Sequence, residues 1–182
     1  MRMMNGVSDE VLTRHNVLVT TDNSFQRRAR LLQALWRKER GLPIGERRPG
    51  VPLGSRLPRE YAKESGANLM TPAALGAARR EVEAMRAGSG QKIDEDRLWA
   101  NLLSSQPLAF SLFAELGVDL GLATRVLGRL WPERIAQVTK VGFEYSPGRS
   151  NPKYTNDRTA FDVYVEHMTP RGGRGFIGIE VK

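Results

Sequence analysis

The chain has 182 residues, enough for one core or for a core with a small helical domain. No apolar run approaches the roughly 20 residues of a membrane span, the start from Met1 to Gly6 lacks the apolar stretch of a secretory signal, and the absence of cysteine excludes disulfides, thiolate nucleophiles and cysteine-based zinc sites. The formal net charge is +8 and uneven, with 16 Lys and Arg against 9 Asp and Glu in residues 1–90 and 12 against 11 in residues 91–182, a surplus that suits a polyanionic partner or, more plainly, a solvated Arg-rich surface. The expectation this leaves is a cytoplasmic protein with no membrane attachment.

In chain order, the N-terminal half reads as helices separated by Gly/Pro loops. The first clear helix is expected from about Ser24 to Arg40. Asp22, Asn23 and Ser24 are N-cap candidates, and Gln26 follows Asn23 at the spacing of a capping box. Phe25, Ala29, Leu32 and Trp36 make an apolar stripe, and Gly41 with Pro43 stops the helix. Arg27, Arg28, Arg30, Arg37, Lys38 and Arg40 decorate its other faces. Such a set grips phosphate or, more often, simply faces water. Residues 41–58 hold four prolines and four glycines and read as a loop.

A second helix starts at Thr71-Pro72, a cap followed by a first-turn proline. Leu75, Ala78, Val82 and Met85 give its stripe and Gly88 its end. The segment from Ala87 to Gly90 is the candidate internal boundary, dividing a basic helical region, 1–90, from residues 91–182. A third helix opens on Asp94-Glu95-Asp96, acids that suit a helix N-terminus, and carries Leu98, Trp99, Leu102 and Leu103. Pro107 breaks or restarts it, and Phe110, Phe113 and Leu116 continue an apolar face to Gly117. A fourth helix is expected from about Asp119 to Leu130.

After Pro132 the period changes from helical to alternating. Val138, Val141, Phe143 and Tyr145 predict a strand ended by Pro147-Gly148. Ala160 to His167 alternates, with Phe161, Val163 and Val165 on one face. Phe176 to Lys182 alternates too, with Ile177, Ile179 and Val181 on one face. Helices followed by a run of strands indicate the α+β class.

The same alternation puts Asp162, Tyr164 and Glu166 on the other face of one strand, and Phe176, Gly178, Glu180 and Lys182 on the other face of the next. The loop from Met168 to Arg174 is short, so an antiparallel hairpin is the simple arrangement. Centred on Arg171, that hairpin pairs Asp162 with Glu180, side chains about 5 Å apart. Two carboxylates so close repel, and a bound hard cation such as Mg²⁺ removes the penalty. A cation there activates water and neutralises phosphate charge, while the Lys182 ammonium, two residues on, can orient the water or stabilise developing charge. Glu-x-Lys alone is a weak signal, and the plainer reading is a solvated strand face.

The stretches Gly142-Phe143-Glu144-Tyr145-Ser146-Pro147, Asp157-Arg158-Thr159-Ala160-Phe161-Asp162 and Gly175-Phe176-Ile177-Gly178-Ile179-Glu180-Val181-Lys182 resemble a bacterial, restriction-endonuclease-like branch of the PD-(D/E)XK nuclease superfamily. Asn101 to Gln106 and the upstream Arg30-Leu31-Leu32-Gln33…Trp36-Arg37 extend the resemblance over most of the chain. It implies a helical N-terminal region followed by the start of an αβββ nuclease core within 91–182. It implies Mg²⁺ or Mn²⁺ held by Asp162, Glu180 and the Val181 carbonyl, with Lys182 as catalytic lysine. Gln106, Glu115 and Glu144 are the accessory candidates, and Arg158, Arg171 and Arg174 are expected to meet phosphate. DNA is the implied partner, a homodimer is compatible with it, and restriction or repair is the implied setting. The superfamily core continues past the lysine with a helix and a strand, so residues 1–182 alone are expected to cleave weakly or not at all. The rival reading is a non-catalytic module that binds DNA or a partner protein through a degenerate nuclease fold. His15 and His167 are isolated, no P-loop is present, and Arg171-Gly172-Gly173-Arg174-Gly175 is either a phosphate contact or a flexible glycine turn.

Overall fold

The computed structural model of the chain describes residues 7–88, 92–146 and 160–182. In order, the elements are α1 (Asp9–Arg14), α2 (Ser24–Glu39), β1 (Gly45–Arg48), β2 (Val51–Leu53), α3 (Arg59–Ser65), α4 (Pro72–Arg86), α5 (Glu95–Ala100), α6 (Ser105–Val118), α7 (Leu120–Leu130), β3 (Gln137–Tyr145), β4 (Phe161–Met168) and β5 (Arg174–Ile179). The class is α+β, as the sequence pattern predicts. Among the described residues no single helix is long and apolar enough to cross a membrane. The chain gathers into two compact units that interleave in sequence: Met1–Asn68 with Asp96–Ser104, and Leu69–Glu95 with Ser105–Lys182.

In the first unit, α2 starts on the expected capping box. The Asn23 side chain accepts from the Gln26 amide at 3.0 Å, and the Gln26 side chain accepts from the Asn23 amide at 2.9 Å. Gly41, with φ +64°, follows the helix end. The face of α2 that turns inward is not the expected stripe. Phe25 and Leu32 are 70% and 65% exposed, whereas Ala34 is buried and packs with Leu12 and Val17. Two arginines assigned to solvent or phosphate take the inner positions instead. Arg30 pairs with Asp22 and donates to the Ser55 hydroxyl at 3.1 Å. Arg37 donates to the carbonyls of Gly54 and Leu42 at 2.9 and 2.5 Å, and burial lowers its pKa from the ordinary guanidinium value. A guanidinium can bury its stem when its fork meets fixed acceptors.

Residues 41–58 are not a plain loop either. β1 and β2 form an antiparallel hairpin turned at Gly50, φ +78°. Its proline, Pro52, is tolerated because a two-stranded sheet consists of edges. The short α1 and α3 carry too few residues for a readable period. Ser8 caps α1, and Gly66 in left-handed conformation ends α3.

In the second unit, the Thr71 hydroxyl accepts from the Ala74 amide, and α4 buries Ala74, Ala77, Ala78 and Val82. Those small residues let it pack closely on α6. The boundary expected near residue 90 therefore falls inside this unit. Pro107 restarts the chain rather than breaking it: it lies in the first turn of α6, where no amide donor is needed. The Asp119 carboxylate caps α7 by accepting from Leu122 N–H at 2.8 Å.

The sheet is antiparallel in the order β3-β4-β5. Helix α6 packs on β3 and β4, and α7 on β3. The buried face carries Val138, Phe143, Val163 and Val165, and Phe110 of α6 stacks on Phe143 with centroids 4.4 Å apart. Phe110 is fully buried, so Phe110→Ala would cost about 3–5 kcal/mol.

Candidate functional site

The β4–β5 hairpin has the register that the sequence predicts. Val163 faces Ile179, Tyr164 faces Gly178, Val165 faces Ile177 and Met168 faces Arg174, a pattern centred on Arg171. Local bonds pin the turn. Thr169 N–H donates to Gly173 O at 2.7 Å, Gly172 N–H to Thr169 O at 2.9 Å, and Gly173 N–H to the Thr169 hydroxyl at 3.0 Å. Gly172 has φ +80°, a conformation that favours glycine.

The paired ladder ends at Val163 and Ile179, and the same register continued one step would bring Glu180 opposite Asp162. The backbone ladder gives way there to a side chain: Asp162 Oδ2 accepts from Val181 N–H at 2.7 Å. Asp162 is half-buried, Glu180 and Lys182 are exposed, and Val181 is half-buried. Among the described residues no group of three or more His, Cys, Asp or Glu side chains is placed to hold a metal. The donors available are two carboxylates and the Val181 carbonyl. They are hard oxygen ligands, and they fit a cation that keeps several of its waters.

The accessory candidates divide. Gln106, 5% exposed at the start of α6, donates to Lys92 O at 3.1 Å and accepts from Asp94 N–H at 3.3 Å. Lys92 N–H in turn donates to Glu144 O at 3.4 Å. Gln106 and the Glu144 backbone thus meet at one segment beside β3. Glu115 is exposed and lies nine residues along α6 from Gln106, about 13 Å by helix rise. Arg171 and Arg174 are exposed, Arg171 in the turn and Arg174 at the start of β5. Arg158 lies outside the described residues.

One feature escaped the sequence. Strict alternation puts Tyr145 with Phe143, yet the two rings lie on opposite faces. Phe143 stacks on Phe110 in the core, while Tyr145 packs on Tyr164 with centroids 4.4 Å apart. The strand turns over at Glu144, which has φ +49° and is buried. Glutamate carries no local signal for left-handed backbone. The open face therefore bears a ring ladder, Tyr145–Tyr164–Phe176, the last pair 5.5 Å apart. Lys140 lies over Tyr145 at 5.5 Å and 3.7 Å from Glu166. Burial, then Glu166, then Tyr145 raise the Tyr164 pKa, so its hydroxyl stays protonated and able to donate.

A family model described as PD-(D/E)XK nuclease superfamily matches residues 20–182. No curated protein and no solved structure matches the chain significantly.

Proposed function

The chain belongs to the PD-(D/E)XK nuclease superfamily, and from that premise we propose that it is a metal-dependent nuclease hydrolysing phosphodiester bonds of DNA. The observation that carries this reading is the Asp162–Val181 bond, just beyond the last hairpin pair, Val163 with Ile179. Asp162, Glu180 and the Val181 carbonyl are the ligands of Mg²⁺ or Mn²⁺ in this reading. When bound, the cation supplies an activated water and neutralises charge on the phosphate. Lys182 holds a proton at Nζ and donates it, as a hydrogen bond, to the attacking water or to a phosphate oxygen. Gln106 and Glu144 stiffen the edge of β3, and Glu115 is the weakest accessory candidate because of its distance along α6. Arg171 and Arg174 on the hairpin, with Arg158, hold the phosphate backbone. A homodimer, a cytoplasmic setting and a role in restriction or repair belong to the same reading.

The test is incubation of the purified chain with supercoiled and linear DNA in Mg²⁺ or Mn²⁺, alongside Mn²⁺ titration followed by electron paramagnetic resonance. Weak cation-dependent cleavage is expected, and it should be lost in Asp162→Asn, Glu180→Gln and Lys182→Met. Mn²⁺ uptake is expected to disappear in the first two variants. Wild-type protein that takes up no Mn²⁺, or cleavage untouched by Asp162→Asn, would sink the assignment. The rival reading, a non-catalytic binding module, shares this bond, because a purely structural aspartate also accepts from Val181 N–H. DNA binding without cation uptake is the outcome that selects it.

A further inference from the structure

The open face of the sheet contains a glycine that the fold does not require. Gly175 and Gly178 are needed, because a Cβ at Gly175 would lie 2.7 Å from the His167 ring and one at Gly178 would collide with the Phe161 ring. Gly142 is different. It has ordinary strand backbone, and among the described residues a Cβ there would meet no heavy atom within 4 Å. An interior strand glycine without a packing reason marks a place where something else approaches the backbone closely.

The surroundings say what that is. Gly142 faces Tyr164 across the β3–β4 ladder and lies between Lys140 and the turned-over Tyr145. Tyr164 thus has glycine opposite it on both neighbouring strands, Gly142 and Gly178. The Tyr164 ring opposite this backbone has a ring on either side, Tyr145 at 4.4 Å and Phe176 at 5.5 Å, the last 58% exposed. Lys140 is half-exposed, and its 3.7 Å pair with Glu166 is loose enough to be exchanged for a phosphate. Asp162 is two residues from Tyr164 along β4, about 7 Å away.

We propose that the slot over Gly142 is a base-stacking subsite that takes an unpaired nucleobase of the strand being cut, with Lys140 on the adjoining phosphate. This deepens the nuclease reading and rests on it. A base inside a duplex has both faces covered by its neighbours. Only a single-stranded, frayed or extruded nucleotide can offer a face to these rings. The substrate class is therefore DNA that is unpaired next to the scissile bond. Phe176 and Tyr145 are positioning residues, and Gly142 supplies the room.

The experiment separates the slot from the metal centre. Binding of a fluorescein-labelled dT20 strand and of the corresponding duplex is followed by anisotropy in EDTA, where no cleavage occurs. The single strand is expected to bind more tightly than the duplex. Gly142→Val and Phe176→Ala are each expected to weaken single-strand binding about tenfold and leave duplex binding unchanged. Lys140→Gln is expected to lower the slope of log affinity against log salt. Gly142→Val should melt no lower than wild type. If it does not fold, Phe176→Ala, an exposed position, carries the test alone. No binding of dT20 by wild type, or equal binding by wild type and Phe176→Ala, overturns the proposal even where Mg²⁺-dependent duplex cleavage is robust. Conversely, dT20 binding that survives in Asp162→Asn while the wild type takes up no Mn²⁺ supports the slot and overturns the nuclease reading.

Discussion

At the scale of single residues, the proposed function gives Asp162 two roles that substitutions can separate. Its Oδ2 accepts from Val181 N–H, and its charge would serve a cation. Asparagine keeps an oxygen acceptor for the amide and removes the charge, whereas alanine removes both. Asp162→Ala is expected to lose about 1–2 kcal/mol of stability, with Asp162→Asn closer to wild type, in urea unfolding. Cation binding should vanish in both. Arg37 shows how far a residue's role can lie from its sequence signature. Arg30 and Arg37 sit among basic residues on a helix and read as solvated, because nothing in the local sequence tells that Asp22, Ser55, Leu42 and Gly54 will offer acceptors. Arg37→Ala strands two half-buried carbonyls and is expected to cost about 1–3 kcal/mol, measured as a loss of thermal stability. Arg28, which is exposed, should tolerate alanine within about 0.5 kcal/mol.

At the scale of elements, the hairpin was legible and the turn-over of β3 was not. The hairpin could be read because a short loop and period-two alternation leave few registers open. The capping box at Asn23 and the proline start of α4 were legible for a similar reason: each is a local bond between residues close in sequence. The reversal at Glu144 depends on the sign of one φ angle, set by contacts made elsewhere. It makes a prediction opposite to the usual strand rule. Glu144→Gly and Glu144→Ala both lose the carboxylate, but glycine tolerates φ +49° and alanine does not. The glycine variant is expected to be the more stable of the two by about 1 kcal/mol in chemical denaturation, although alanine normally wins inside a strand. The β1–β2 hairpin was missed because its prolines and glycines mark turns and edge strands alike.

At the scale of the whole molecule, the surplus of positive charge and the proposed carboxylate pair would be complementary demands. In the proposed reading the basic residues gather polyanion without regard to sequence, while Asp162 and Glu180 would push phosphate away until a cation stood between them. Cation binding should therefore stabilise the folded chain by mass action. At ten times the dissociation constant, Mg²⁺ is expected to add about 1.4 kcal/mol to wild type and nothing to Glu180→Gln, as read from thermal melts. The family resemblance was visible because its motifs are contiguous runs in the sequence. The interleaving of the two compact units was not, since it depends on α4 packing with α6 across the 89–91 segment of sequence.

The bond from Val181 to Asp162 also makes the centre self-reporting. A backbone amide proton points at one oxygen of the carboxylate that a cation would share. Any charge arriving on the second oxygen withdraws electron density from the first, and the amide proton senses it directly. The Val181 ¹H–¹⁵N resonance should then move in proportion to Mg²⁺ occupancy, with no label added and no substrate present. In Asp162→Asn the same resonance should stay still.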